Sequence, residues 1–351
     1  MKKYIALLLS LVLVLTVFAG CQSQSSGTAT TAAAASSDTT AAASADAPSS
    51  SFKLSGDVEF VCPYSAGGGS DLYARTAGNI MGEKGLLGGR TITVNNKTGG
   101  SGAVGDAYTA TKAGDGTVIT TYVSAQITGP MINGTEITYK DLTPICNLAM
   151  DEYTIGVLST AEYKTLDEFI AYAKANPGKI TVGGSGSGTE DNLVTGLMQM
   201  YCGIEVEYIP YNSSAEVMTA MLGGHINAGI YNPNEAISQY EAGDVLLLAA
   251  FGPERISVLP DVPTFTELGY DQVVFQQFRG IFGPGNMSQE AVDFWVSVFE
   301  EVIQDSTWTD GYLAKNGLTS KFLSGAEFDT FLDEEAAKYE AVLGNLGLLH
   351  S

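Results

Sequence analysis

The chain has 351 residues, 45% of them hydrophobic and 16% charged, and its 17 Lys and Arg stand against 39 Asp and Glu for a formal net charge of −22. An acidic surface of this kind excludes nucleic acid and anionic membrane surfaces as natural partners. The four widely spaced cysteines, Cys21, Cys62, Cys146 and Cys202, form neither a disulfide framework nor a CxxC metal site; the last three read as buried free thiols, and no cofactor is called for.

At the N-terminus Lys2 and Lys3 lead into an unbroken apolar run from Tyr4 to Gly20, which ends in Val17-Phe18-Ala19-Gly20-Cys21. This is the pattern of an export signal over residues 1–20. A single membrane anchor is the alternative, but the run sits at the short end of the roughly 17 to 25 residues that span a bilayer. Small residues directly before Cys21 resemble a bacterial lipoprotein cleavage box, which predicts lipidation of that cysteine, although Phe18 stands where an aliphatic residue is usual. Residues 22–51 are almost entirely Ser, Thr, Ala and Gln, cannot bury a core, and read as a flexible tether of about 30 Å root-mean-square reach. The expected location is extracytoplasmic, lipid-anchored at the outer face of the cell membrane or in the periplasm. Without the leader, 15 cationic and 39 acidic side chains leave a net charge of −24.

Residues 52–351 exceed the size at which one core usually splits, so two lobes are expected. Apolar runs of strand length alternate with amphipathic helical stretches. Strands are predicted at 58–62, 91–95, 117–123, 153–158, 180–183, 205–208, 226–230, 245–250 and 273–282, with helices between them. Thr165-Leu-Asp-Glu168 has the form of a capping box. Repeated βα units imply α/β architecture in which each lobe is a mixed, mostly parallel sheet flanked by helices. The segment from Gln289 to Leu349 reads as helices alone, packed back over one lobe.

In such sheets ligands sit beyond the carboxyl ends of the strands. Strand 58–62 runs into Pro63-Tyr-Ser-Ala-Gly-Gly-Gly-Ser-Asp71, and strand 180–182 runs into Gly183-Gly-Ser-Gly-Ser-Gly-Thr189, each followed by a helix. Two loops of backbone N–H groups backed by helix dipoles suit one anion held between lobes. For both loops to face one cleft, the chain crosses between lobes twice, giving a first lobe of 52–154 plus 273–351 and a second of 155–272. The N–H groups of residues 66–69 and 187–189, with the hydroxyls of Ser65, Ser185 and Thr189, are the expected donors to a first carboxylate. Arg279, after the strand at the second crossing, either meets a second carboxylate or forms an inter-lobe or surface ion pair.

Other motifs were weighed against this site. Gly100-Ser-Gly-Ala-Val-Gly105 matches GxGxxG, but Lys97, Thr98 and Gly99 intervene after Asn96 and no carboxylate follows about 20 positions on, so it is a poor dinucleotide site. Only two histidines exist, His225 in a turn-like Gly-Gly-His and His350 near the end, and no GxSxG elbow supports a triad. The adjacent carboxylates Asp151 and Glu152, and Glu190 and Asp191, read as solvated helix starts.

The chain resembles the periplasmic substrate-binding receptors of tripartite tricarboxylate transporters, often called the Bug family, from Val58 to the C-terminus. The resemblance rests on Pro63 to Asp71 with Arg75, on Val94 to Gly105, Asp115-Gly116, Leu142 to Ile145, Ala175 to Lys179, Gly184 to Thr189 and Leu222 to Gly224. Its most specific element is Arg255-Ile-Ser-Val-Leu-Pro-Asp-Val-Pro-Thr264, followed by Glu267 and Gly269-Tyr270. It implies a two-lobed Venus-flytrap receptor of the type II periplasmic-binding class, without catalytic activity, that captures a small organic carboxylate for membrane-embedded transporter subunits and acts as a monomer. The family's contacts, carried over, are Tyr64, Ser65, Ala66, Gly67 and Gly68 on one side, and Ser185, Ser187, Gly188 and Thr189 on the other; Gly69 and Asp71 of the first loop are candidate ligand contacts beside them. Tyr211, Asn212, Ser124 and Gln126 are further candidates by position. Asn192 stands where the family usually has His, and Phe278-Arg279-Gly280 also departs from its pattern. A cell-surface hydrolase or transferase using His225, or a sensory binding protein for a membrane kinase, are the alternatives.

Overall fold

Two mixed sheets organise the protein in a computed structural model that describes residues 52–350. The export signal, Cys21 and the tether lie outside the described residues. The first sheet begins with β1 (Val58–Cys62), α1 (Gly69–Glu83), β2 (Ile92–Asn96), α2 (Ala103–Ala110), β3 (Val118–Tyr122), α3 (Ser124–Asn133) and β4 (Thr143–Asp151). The second holds β5 (Thr154–Leu158), α4 (Leu166–Ala175), β6 (Ile180–Ser185), α5 (Glu190–Cys202), β7 (Val206–Tyr211), α6 (Ser214–Leu222), β8 (Ala228–Tyr231), α7 (Pro233–Glu241) and β9 (Val245–Ala250). The chain then returns to the first sheet with β10 (Gln277–Gly283), α8 (Gln289–Ile303), the short helices α9 (Ser306–Trp308) and α10 (Ala314–Asn316) around a π-helical turn, β11 (Thr319–Ser324) and α11 (Gly325–Asn345). Strand orders are β11-β4-β10-β3-β1-β2 and β7-β6-β8-β5-β9.

Local sequence accounts for these elements. On α8, Trp295, Val298, Phe299 and Val302 recur at helical spacing and are buried, which fixes the face turned to the core. At α4 the Thr165 hydroxyl accepts the Glu168 N–H at 3.3 Å, while the Glu168 carboxylate takes the N–H of Lys164, one residue before the cap. Cys62, Cys146 and Cys202 are free and buried.

Three expectations change. Parallel pairing joins β1 to β2 and β3, and β6 to β7 and β8, whereas β10 pairs antiparallel with β3 and β4, β11 with β4, and β5 with β8 and β9. The sheets are therefore mixed because β5, β10 and β11 run against the βα units. The C-terminal region is not helical throughout: β11 adds an edge strand whose first three residues are exposed, so no apolar alternation announces it. Nor does that region cover one sheet alone. α11 buries Phe328, Leu332 and Tyr339, and its Val342 packs so closely on α5 of the second sheet that a Cβ at Gly196 would stand 2.7 Å from it.

The crossing positions the functional residues. Gln277 on β10 lies opposite Asp151 on β4, and the register slips between Phe278 and Gly280, where the Asn147 side chain accepts the Arg279 N–H at 3.0 Å in place of a ladder bond. Side chains directly opposite on antiparallel strands share a face and alternate along each strand. Asp151, Gln277 and Arg279 accordingly point to one side and Glu152 and Gln276 to the other.

Candidate functional site

The loop after β1 is braced from within its own helix. Asp71, in the first turn of α1, accepts the Gly67 N–H at 2.8 Å and Arg75 Nε at 2.8 Å on one oxygen, and Asn96 Nδ2 at 2.8 Å on the other. Asn96 also donates to the Tyr64 carbonyl, whose ring hydroxyl reaches the Ser101 carbonyl at 3.3 Å. Asp71 thus shapes the loop, with both of its oxygens taken by internal donors. Gly68 is the N-cap and donates to the Ser65 carbonyl, while Ser65, Ala66, Gly67 and Gly69 remain exposed. The GxGxxG stretch packs beneath: a Cβ on Gly105 would stand 2.7 Å from Pro63.

The loop after β6 repeats the device. Asp191, in the first turn of α5, accepts both the N–H and the hydroxyl of Ser185, at 2.6 and 2.9 Å, and Asn192 accepts the Gly188 N–H at 3.1 Å. The Thr189 hydroxyl donates to the Ser185 carbonyl at 2.5 Å, so neither expected hydroxyl is free of an internal partner. Ser187 is exposed. The Tyr211 carbonyl accepts the Gly186 N–H, and Asn212, just ahead of α6, donates to Glu216 on that helix. Ser124 and Gln126 are buried: Tyr339 donates to the first, and the second donates to Asp106 at 2.5 Å while accepting the Val123 N–H.

The two loop sets face each other across the crossing strands. Gln277 Nε2 donates to Glu190 Oε1 at 2.6 Å, and the Ala125 N–H at the start of α3 also binds the Glu190 carboxylate. Asn232, the N-cap of α7, donates to Asp151 Oδ1 at 3.2 Å and to the Glu152 carbonyl at 2.7 Å. Between α1 and α7 lies a cavity of about 180 Å³. Its floor is Arg279, Asp151, Tyr312 and Leu318, and its walls are Gly69 and Leu72 on one side, Asn232, Asn234 and Glu235 on the other, with Asn316 at the edge. Arg279 pairs with Asp151 and presses on the start of α1: a Cβ on Gly69 would stand 3.1 Å from its Nη2. Its buried Nε–H finds no acceptor among the described residues.

The adjacent carboxylates read as solvated are instead buried, Asp151 at 5%, Glu152 at 2%, Glu190 at 8% and Asp191 at 5% exposure, because each meets internal donors. Burial pushes Asp191 and Glu152 up to about 7, against the pull of the Ser185 donors on the first and of Thr319 and Gln276 on the second. Burial likewise raises Asp151 and Glu190, with Arg279 among the groups opposing it in both. Glu235 keeps solvent access at the cavity mouth, yet the protein crowded around it raises its carboxyl against the Ser214 hydroxyl and the Asn232 N–H.

Of the expected residues, Gly69 and Arg279 line this cavity; Tyr64, Ser65, Ala66, Gly67, Gly68, Asp71, Ser124, Gln126, Ser185, Ser187, Gly188, Thr189, Tyr211 and Asn212 do not. The α7 wall went unnoticed, although Asn232-Pro-Asn-Glu235 is a capping box with Pro at N1 directly after a strand. Tyr312 and Asn316 come from short turns that carry no periodic signal. His225 is exposed and does not line the cavity.

A family model described as the tripartite tricarboxylate transporter family receptor matches residues 74–348. The chain belongs to this family. Its receptors are solute-binding proteins that work outside the cytoplasm, and the two α/β sheets about a shared crossing are their fold. A Cupriavidus necator relative, the UPF0065 protein in the gbd 5′ region, is 31% identical over 301 residues, 83% of this chain and 88% of that one. A TctC solute-binding protein from Polaromonas, solved without ligand, superposes with a TM-score of 0.74 at 26% identity, covering 83% of this receptor and 98% of that chain. An R. palustris protein solved with adipate has a TM-score of 0.69 at 23% identity, over 84% of this chain and 98% of its own.

Proposed function

We propose that this receptor is tethered through a lipid on Cys21, binds one small organic carboxylate in the cavity between α1 and α7, and hands it to a membrane-embedded transporter as a monomer without catalysing a reaction. The observation that carries the reading is the meeting, at one cavity, of the α1 N-terminus at Gly69 and the Arg279 guanidinium beside it. The first helical N–H groups lack intrahelical partners and favour an anion. The structural neighbour solved with adipate, a dicarboxylate, agrees with this class of ligand.

The lobes are then residues 52–154 with 273–351, and 155–272, closing about the β4–β5 and β9–β10 crossings. A thermal-shift panel of carboxylates tests the reading. A ligand at 100 times its dissociation constant adds about 2.7 kcal/mol, visible as a raised melting temperature with no turnover. Turnover lost in His225→Ala would overturn it. Cys21→Ala is expected to move the protein from the membrane fraction to the soluble one.

A further inference from the structure

The cavity is short of positive charge for a ligand with several carboxylates. Among its lining residues Arg279 is the one cation, and Asp151 and Glu235 are two anions. Arg279 is already paired with Asp151, so a second ligand carboxylate would meet no unpaired cation there.

The helix termini sharpen the point. At α7 the Asn232 N–H is taken by the Glu235 carboxylate at 2.9 Å, and at α5 the Glu190 carboxylate binds its own backbone N–H. These two termini hold carboxylates of the chain itself. At α1 the acidic side chain, Asp71, is committed to the loop, to Arg75 and to Asn96, and Gly69 opens onto the cavity beside Arg279. One carboxylate seat remains, in a cavity that Asp151, Glu235 and Asn234 also line.

We propose that the ligand is a carboxylate that also carries a protonated amine, an amino-acid-like zwitterion, with its carboxylate at Gly69 beside the Arg279 guanidinium and its ammonium against Asp151 and Glu235. This rests on the receptor reading above. The ammonium cancels the excess negative charge of the lining, whereas a di- or tricarboxylate adds to it. The Ser214 hydroxyl, 2.6 Å from Glu235 Oε1, and Asn232 hold the Glu235 carboxylate in place for that contact.

Calorimetry on the full chain with matched pairs that differ by one amino group, succinate and aspartate, then glutarate and glutamate, with citrate alongside, is the test. The amino member of each pair is expected to bind about tenfold or more tighter. Glu235→Gln is expected to bring the two members within about threefold, and Glu235→Asp, which keeps the charge, to retain most of the preference; a purely structural loss would weaken both members equally. Succinate or citrate binding as tightly as aspartate would overturn the ammonium seat and leave the receptor intact. If no carboxylate binds, with or without an amine, the receptor reading itself falls and this inference with it.

Discussion

Asp71 separates two roles that its sequence position confounds. It precedes Arg75 in a glycine-rich block and therefore suggests a ligand contact, but its oxygens accept from Gly67, Arg75 and Asn96. Burial alone would raise its carboxyl; the Arg75 side chain, the Gly67 N–H and Asn96 outweigh that and hold it at about 2. An unfolded Asp titrates near 3.9, so the ionised form is favoured in the fold, and the stabilisation, about 2 kcal/mol, is complete above pH ~4 and lost as pH falls through about 2. Asp71→Asn is expected to lower stability by that amount in urea titrations at pH 7. The gap to the unmodified chain should close between about pH 4 and 2, and a gap unchanged at pH 2 would remove the carboxylate from the explanation.

Loop 186–189 shows how one element is fitted against another. Gly188 has a φ of +72°, and a Cβ there would collide with the Ile132 side chain on α3 of the first sheet. Gly188→Ala therefore meets two separate penalties, about 1–2 kcal/mol for the left-handed backbone and a further contact cost. In a double-mutant cycle, Ile132→Ala should recover the contact share alone; additive losses would mean that the loop and α3 do not touch in solution. The loops were legible in the sequence because a strand, a glycine run and a helix start each carry a local signal. Most strands of both sheets were legible for the same reason, through short apolar runs. β4 was not, since Pro144 interrupts its start and its buried run shows no alternation, and β11 was not, since its residues are polar and exposed. The brace by Asp71 and Asp191, and the pairing of Arg279 with Asp151, depend on chain segments 4 to 128 residues apart, and the longest of these separations has no local trace in sequence.

The molecule as a whole buries acid on both sides of its crossing. α11 packs on the first sheet and on α5, and the crossing region is compact enough to strip water from its carboxyl groups. Burial pushes Asp106 up to about 7 against the pull of Gln126, and Glu152 up to about 7 against Thr319 and Gln276. Unfolded Asp and Glu titrate near 4, so both groups favour the protonated form in the fold. Their contribution is fully present below about pH 4 and is lost as pH rises through about 7. Growing self-repulsion of an acidic chain acts in the same direction, so a plain pH scan cannot tell the two apart. Neutral isosteres can. The melting temperature of the unmodified protein is expected to be about 5 °C or more higher at pH 5 than at pH 8. In the double variant Asp106→Asn, Glu152→Gln, whose amides imitate the protonated acids, that difference should shrink by more than half, chiefly through a gain at pH 8. If the double variant falls with pH as steeply as the unmodified chain, these two buried carboxyl groups do not govern the alkaline side of its stability, which then rests on surface repulsion or on the other raised carboxyl groups, Asp191 first among them.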